Sequence, residues 1–293
     1  MAKHDVAVIL TQWTDPARNR TVPVKIYHPQ NGAGPFPIII FSHGLGGSRD
    51  TYEYVGRGWA SHGYIVAHPQ HLGSDSAIWQ IDAAASRQSL KKILFNPENS
   101  INRTQDVTFA IDQIIRSGDD IAPLRGKIDS GAIGVGGHSF GAMTTLQCAE
   151  HDKRVKAIVA MSTPIPPEVK AQATDAFARI KVPCLHLTGT RDSGMTAPTP
   201  PEYRRIPFDQ MEKADQYLIT FEGGDHMVFT GQRVLDHKLP TDDLFHGLIL
   251  QSTTAFWDAY LKGDSGAKSW LASGPFRAEL GTHGVFEQKQ IVP

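Results

Sequence analysis

The sequence predicts an α/β fold in which a mostly parallel central sheet of about eight strands carries helices on both faces. Two observations predict it. Short apolar runs rich in β-branched residues alternate with segments of helical spacing, an arrangement that builds a parallel sheet buried on both sides. In addition, Ala132-Ile133-Gly134-Val135 leads directly into Gly137-His138-Ser139-Phe140-Gly141. This G-x-S-x-G pattern reads as a strand delivering a serine to a sharp turn before a helix.

In chain order, strand patterns near 6–12 and 20–27 form an antiparallel opening pair, and Asp15-Pro-Ala-Arg-Asn19 supplies the turn between them. Further strands fall near 37–42, 64–68, 132–138, 155–161, 182–188 and 216–222, separated by helical segments. Functional side chains of such a sheet gather at the carboxyl ends of its strands. A helix runs from about Phe140 to Glu150. Phe245, Leu248, Ile249, Ser252, Phe256, Ala259 and Tyr260 recur at helical spacing, so a long helix from about Asp242 to Lys262 packs on the sheet. No repeat, low-complexity tract or linker interrupts the chain, and residues 1–293 read as one domain.

Composition narrows the partners. With 29 Lys+Arg against 30 Asp+Glu, the chain offers no basic field to nucleic acid or to an anionic membrane. Hydrophobic residues at 40% and 27 glycines suit a well-cored protein with many turns. Cys148 and Cys184 have neither a disulfide framework nor metal-ligand spacing around them and read as buried thiols. No apolar run approaches the roughly 18 residues of a membrane span. Val6-Ala-Val-Ile-Leu10 is too short an apolar core for a signal peptide, which leaves two compartments open: the cytoplasm, or secretion after removal of a leader. Oligomeric state is not set by any of these features.

The chemistry centres on Ser139. The turn that exposes it forces its backbone out of the usual φ/ψ regions, and glycines at 137 and 141 remove collisions with the next strand and helix. The N–H groups of the following helix point toward the oxygen, where negative charge develops in acyl transfer. A serine hydroxyl needs a base, and the base needs a carboxylate to fix its tautomer. Lys181-Val-Pro-Cys-Leu-His-Leu187 is a strand ending in Thr188-Gly-Thr-Arg-Asp192, and Gln216-Tyr-Leu-Ile-Thr-Phe221 is followed by Glu222-Gly-Gly-Asp-His226. Ser139, Asp192 and His226 thus stand on successive strand ends, 53 and 34 residues apart. Asp225 adjoins His226, but neighbours on a strand exit do not easily turn a carboxylate toward an imidazole, so Asp192 is the assigned acid.

That order resembles the α/β-hydrolase superfamily along nearly the whole chain. Phe36-Pro-Ile-Ile-Ile-Phe-Ser-His43-Gly44-Leu45-Gly-Gly is similar to its third strand and His-Gly loop, and the resemblance implies an oxyanion hole from the backbone N–H groups of Leu45 and Phe140. Gln70-His71-Leu-Gly-Ser-Asp75 and Arg103-Thr-Gln-Asp106 resemble a branch near dienelactone hydrolases, platelet-activating-factor acetylhydrolases and bacterial polyester hydrolases. Dienelactone hydrolases use a cysteine nucleophile and this turn carries serine, which favours a serine esterase. The resemblance implies an α/β-hydrolase fold acting on short to medium carboxylic esters through an acyl-enzyme, with no cofactor. A polyester or platelet-activating-factor-type lipid ester is the leading alternative substrate. A peptidase or amidase, or a binding module without catalysis, fits less well.

Three segments bear on the cleft. Pro164 to Ile180 is short for the place where relatives build a lid, so a minimal lid is expected. Ala77 to Asn102 and the proline-rich Ser193 to Met211 wall an open cleft, with Trp79, Tyr203 and Phe208 as substrate contacts. His68, His71 and Asp75 carry zinc-type ligands, but their strand-and-loop placement makes the side chains diverge, and no metal site is expected. His43 reads as a donor holding its loop. His138 reads as a packing residue turned away from Ser139.

Overall fold

The computed structural model describes residues 3–81, 87–118, 120–165, 177–194, 200–231 and 238–291. Its sheet has nine strands: β1 (Val6–Asp15), β2 (Arg20–Pro29), β3 (Phe36–Ser42), β4 (Ile65–Pro69), β5 (Ile128–His138), β6 (Val155–Met161), β7 (Cys184–Arg191), β8 (Gln216–Asp225) and β9 (Gly284–Lys289). The order across the sheet is β1-β2-β4-β3-β5-β6-β7-β8-β9. The six central strands from β4 to β8 run parallel, while β1, β2 and β9 pair antiparallel. The predicted α/β architecture therefore stands, in the α/β-hydrolase form, with one strand more than expected. That strand, Gly284-Val-Phe-Glu-Gln-Lys289, lies at the sheet edge and buries only Phe286, so no apolar run marks it. Phe286 stacks on Tyr217 with ring centres 6.0 Å apart.

Alternation along the strands sorts the core into two layers. In β3, Ile39 and Phe41 face one side with Trp59, Ile249, Phe256 and Trp257, whereas Ile38 and Ile40 face the other with Val107, Ile111, Ile114 and Leu146. The first layer is roofed by the helices Glu53–Ser61 and Asp242–Leu261. Trp59 Nε1 donates to Thr253 Oγ1 at 2.9 Å and ties these two helices together. The second layer is roofed by Pro97–Ser117 and Phe140–His151. Asn96 caps the former, its side-chain oxygen accepting the Glu98 N–H, and Pro97 fills the first helical position, where a missing N–H costs nothing.

The end of β7 that leads away from the site starts later than its apolar run suggests. Pro183 has no N–H to give to a ladder, and pairing begins at Cys184. Cys148 and Cys184 are both buried free thiols. No helix among the described residues is long and apolar enough to cross a membrane.

Candidate functional site

β5 lies between β3 and β6, and its last residue, His138, hands the chain to Ser139. Ser139 adopts φ 54° and ψ −119°, a conformation that side-chain-bearing residues rarely take. It is held there by its own N–H, which donates to the Met161 carbonyl of β6 at 2.9 Å. The two flanking glycines are required by close approach. A Cβ on Gly137 would run into the Gly141 carbonyl, and one on Gly141 would run into the Ser42 carbonyl of β3.

The carboxyl ends of β7 and β8 bring the other two groups to this serine. The Ser139 hydroxyl donates to His226 Nε2 at 3.0 Å, and His226 Nδ1–H donates to Asp192 Oδ1 at 2.8 Å. His226 opens a 3₁₀ turn, His226–Phe229. Asp225 caps that turn, its Oδ1 accepting the N–H groups of Met227 at 3.0 Å and Val228 at 3.1 Å. Asp225 is therefore occupied in aiming His226 and does not contact the imidazole as a competing acid.

Asp192 is fully buried. Its carboxylate also accepts from Ser162 Oγ at 2.9 Å and Thr188 Oγ1 at 3.0 Å, and the Arg204 guanidinium stands 3.5 Å away. Burial alone would raise its pKa. The adjoining His226 first, then Arg204 and the Ser162 hydroxyl, outweigh burial and hold the carboxyl well below the usual carboxylate range. Ser162, just past the end of β6, is itself strained at φ 55°, and its Oγ lies 2.7 Å from His226 Nδ1. None of Ser162, Thr188 and Arg204 has a signature in the sequence. The nearest hint is that Ser162 follows a strand next to β5.

His138 does more than pack. Its ring lies beside the His226 ring, centres 4.7 Å apart, and its Nδ1 accepts from the Tyr52 hydroxyl at 2.8 Å. Tyr52 in turn accepts the Gly44 N–H at 3.2 Å, which ties the serine turn to the loop after β3. Burial pushes the His138 pKa well below that of a free imidazole, so this ring is neutral against His226.

The loop after β3 is pinned along its length. His43 Nδ1–H donates to the Gly44 carbonyl at 2.7 Å, and His43 Nε2 accepts the His71 N–H at 3.1 Å. Gly46 N–H donates to the Ser74 carbonyl at 2.9 Å, and Gly47 bridges to Asp75. None of the turn and loop hydrogen bonds in this region uses the N–H of Leu45 or of Phe140. Trp79 lies on this loop, its Nε1 donating to the Gly46 carbonyl at 2.9 Å, and 39% of it remains exposed at the rim.

The remaining expected residues divide. Tyr203 is partly buried in the 3₁₀ turn Pro201–Arg205 that delivers Arg204. Phe208 corrects the expectation of a cleft contact. It is 3% exposed and packs edge-on against His186, two residues into β7 and remote from that strand's carboxyl end, under the Lys289 ammonium. The chain doubles back through the short helix Ile206–Gln210, which carries Phe208 away from the site. His68 packs between Tyr27 and Phe41, His71 bonds Asp106 and Ser42, and Asp75 accepts from Gln70. Among the described residues no group of three His, Cys, Asp or Glu is placed to hold a metal ion. Residues 166–176, which make up most of the expected lid segment, lie outside the described residues. A groove of about 1180 Å³ between the helix Pro97–Ser117, the helix Phe140–His151 and the β1–β2 turn includes none of Ser139, Asp192 and His226.

Residues 22–237 match the family model described as PETase, PET hydrolase-like. The chain is similar to the platelet-activating factor acetylhydrolase of Cavia porcellus, with 24% identity over 283 residues that cover 85% of this chain and 63% of that protein. It is similar to the enzyme of the same name from Canis lupus familiaris, with 28% identity over 236 residues, 71% of this chain and 51% of that one. The Bos taurus enzyme of that name shares 27% identity over 224 residues, 66% of this chain and 48% of its own. The chain thus spans about half to two thirds of the length of these curated relatives.

Proposed function

Because the chain belongs to the PET hydrolase-like family, we propose that it is a serine-dependent carboxylic-ester hydrolase working through an acyl-enzyme, with residues 1–293 as one hydrolase domain. The observation that carries this is the unbroken hydrogen-bonded line from buried Asp192 through His226 to a serine held at φ 54°. His226 Nε2 takes the Ser139 proton as Oγ attacks the ester carbonyl. The N–H groups of Leu45 and Phe140 receive the oxyanion, while Asp192 stabilises the imidazolium and keeps its Nδ1–H pointed inward. Collapse of the tetrahedral species expels the alkoxide, which leaves as the alcohol with the proton from His226. Water, deprotonated by the same imidazole, then attacks the acyl-enzyme, releases the carboxylic acid and restores Ser139. No step draws on a cofactor.

Short to medium esters are the favoured substrates. A second reading, a polyester or a platelet-activating-factor-type lipid ester, is supported by the family match and by the half-exposed indole of Trp79 beside the loop that carries Leu45. Trp79 and Tyr203 are the proposed rim contacts in either case. An organophosphonate probe should label Ser139 in the wild type and leave Ser139→Ala unlabelled, and that variant should lose a factor on the order of 10⁴ to 10⁶ in turnover. Retention of more than about a tenth of wild-type turnover would remove Ser139 as nucleophile. A series of p-nitrophenyl esters from acetate to palmitate, run beside a solid polyester film, separates the two substrate readings.

A further inference from the structure

The helix Pro97–Ser117 turns Val107, Ala110, Ile111 and Ile114 toward the core, and one turn before Val107 on the same stripe stands Arg103, 1% exposed. Among the described residues it pairs with no carboxylate at ion-pair distance. Its partners are neutral acceptors: Thr144 Oγ1 at 3.1 Å, Ser74 Oγ at 2.9 Å, Ser42 Oγ at 3.1 Å and the His43 carbonyl. The guanidinium carbon also lies 4.4 Å from the centre of the Phe140 ring.

These partners come from three segments. Ser42 ends β3 and His43 follows it toward Leu45. Ser74 belongs to the loop whose carbonyl takes the Gly46 N–H. Phe140 and Thr144 form the first turn of the helix after Ser139, and Thr144 Oγ1 donates on to the Phe140 carbonyl at 2.9 Å. A guanidinium is planar and rigid, so five N–H donors at fixed angles set the spacing of whatever they bind. Among the described residues no carboxylate is in contact with it, and Asp106 and Asp75 act on its charge only through space.

We propose that Arg103 is a positioning residue that sets the spacing between the Leu45 and Phe140 N–H groups and places a fixed positive charge behind them. This rests on the oxyanion role given to those groups above. A role confined to stability would lower the melting temperature and leave the transition state untouched. Three measurements separate the two: kcat and KM on a soluble p-nitrophenyl ester, inhibition by phenylboronic acid, and Tm. The boron accepts an electron pair from Ser139 Oγ as the serine proton passes to His226, giving an anionic tetrahedral adduct that leans on the oxyanion donors as an ester substrate at rest does not.

Arg103→Met should lower kcat about 100-fold with KM within about threefold of wild type, and should weaken phenylboronic acid in parallel. Arg103→Lys, which keeps the charge and loses the fork, should recover about tenfold of that loss. Should Arg103→Met fail to fold, Thr144→Val removes one arm and should show the same split at about five- to tenfold. The proposal is overturned if the variants that fold keep wild-type kcat and boronate inhibition, whatever their Tm, or if only KM rises. Ser139→Ala run alongside keeps the two levels apart. An active Ser139→Ala refutes the hydrolase mechanism itself, whereas an inactive one beside unimpaired Arg103 variants refutes only the role of Arg103.

Discussion

Arg204→Met tests what keeps the Asp192 carboxyl ionised inside the protein. Arg204 is 2% exposed, and its Nη2 lies 3.5 Å from the Asp192 oxygen that accepts the His226 Nδ1–H at 2.8 Å. Its other contacts, to the carbonyls of Asp192 at 3.4 Å and Ser162 at 3.3 Å, are long, and its influence is chiefly that of a nearby charge. At an effective dielectric of about 20, two opposite unit charges about 3.5 Å apart attract by about 5 kcal/mol, and relaxation reduces that to about 2 kcal/mol. The sign follows from charge. Arg204 favours the ionised carboxylate and helps to hold the Asp192 pKa below the usual range. With its folded pKa depressed, the carboxyl contributes stability that is present above the unfolded value near 4 and lost as pH falls toward the folded one. Removing the guanidinium raises the folded pKa, so less stability is left to lose, and the fall in Tm between pH 7 and pH 3 should shrink by roughly 4 °C. Arg204→Lys should shrink it less. The measurement is Tm by circular dichroism from pH 2 to 7, with kcat/KM on p-nitrophenyl acetate at one pH to show that the variant is folded and active. A folded Arg204→Met whose Tm falls with acid as steeply as wild type, or more steeply, refutes this electrostatic coupling.

Asp192→Asn should keep the fold and lower kcat by roughly 10³ to 10⁴, because an amide can favour the wrong imidazole tautomer, whereas Asp225→Asn, whose amide oxygen can still accept the Met227 and Val228 N–H groups, should keep the cap and cost kcat far less. A larger kcat loss in Asp225→Asn at equal stability would reverse the two assignments. Gly141→Ala should abolish activity and reduce organophosphonate labelling, since its Cβ has to displace the Ser42 carbonyl behind the serine turn; wild-type labelling would contradict the packing. For acid stability, burial raises the Asp106 pKa, but hydrogen bonds from His71 and Arg20 outweigh it and hold the carboxyl well below the usual range. A depressed folded pKa gives stability that is present above the unfolded value near 4 and lost as pH falls toward the folded one. Tm should therefore decline below about pH 4, and more shallowly in Asp106→Asn, by circular dichroism across pH 2–7.

The parts of the site legible in the sequence are those that a strand ending dictates. A glycine pair around Ser139, an acid after one strand and a histidine after the next are local patterns, and the parallel sheet brings their ends together. What escaped depends on where a turn sends a side chain. Arg204 and Arg205 are adjacent and identical in type, yet one is buried against Asp192 and the other pairs with Asp209 and Glu287 near the surface. Nothing in Tyr203-Arg204-Arg205 tells them apart until the 3₁₀ turn fixes which faces inward. Phe208 misled for the same reason, since an aromatic in a proline-rich excursion fits a cleft wall as well as it fits the hidden side of β7. The turn at Ser139 fixes where His138 stands, but its partner ring is set by the 3₁₀ turn after β8, which carries His226.

The two buried arginines act on opposite sides of the serine. Arg204 reaches Asp192 from the excursion after β7, on the side that manages the proton. Arg103 reaches Ser42, His43, Ser74 and Thr144 from the helix Pro97–Ser117, on the side that would receive the oxyanion. Neither touches the serine hydroxyl, and neither could be replaced by a hydrophobe without leaving buried acceptors unmet. Strain follows the same division, because Ser139 and Ser162 are the two positive-φ serines among the described residues and each is locked by a backbone hydrogen bond to the neighbouring strand, Met161 for one and Leu187 for the other. A parallel sheet can hold such conformations at its carboxyl edge because β5, β6 and β7 stay paired up to His138, Met161 and Leu187 behind them. The folding energy that keeps β5, β6 and β7 in register thereby keeps the nucleophile turn and the acid shell at hydrogen-bonding distance from one imidazole.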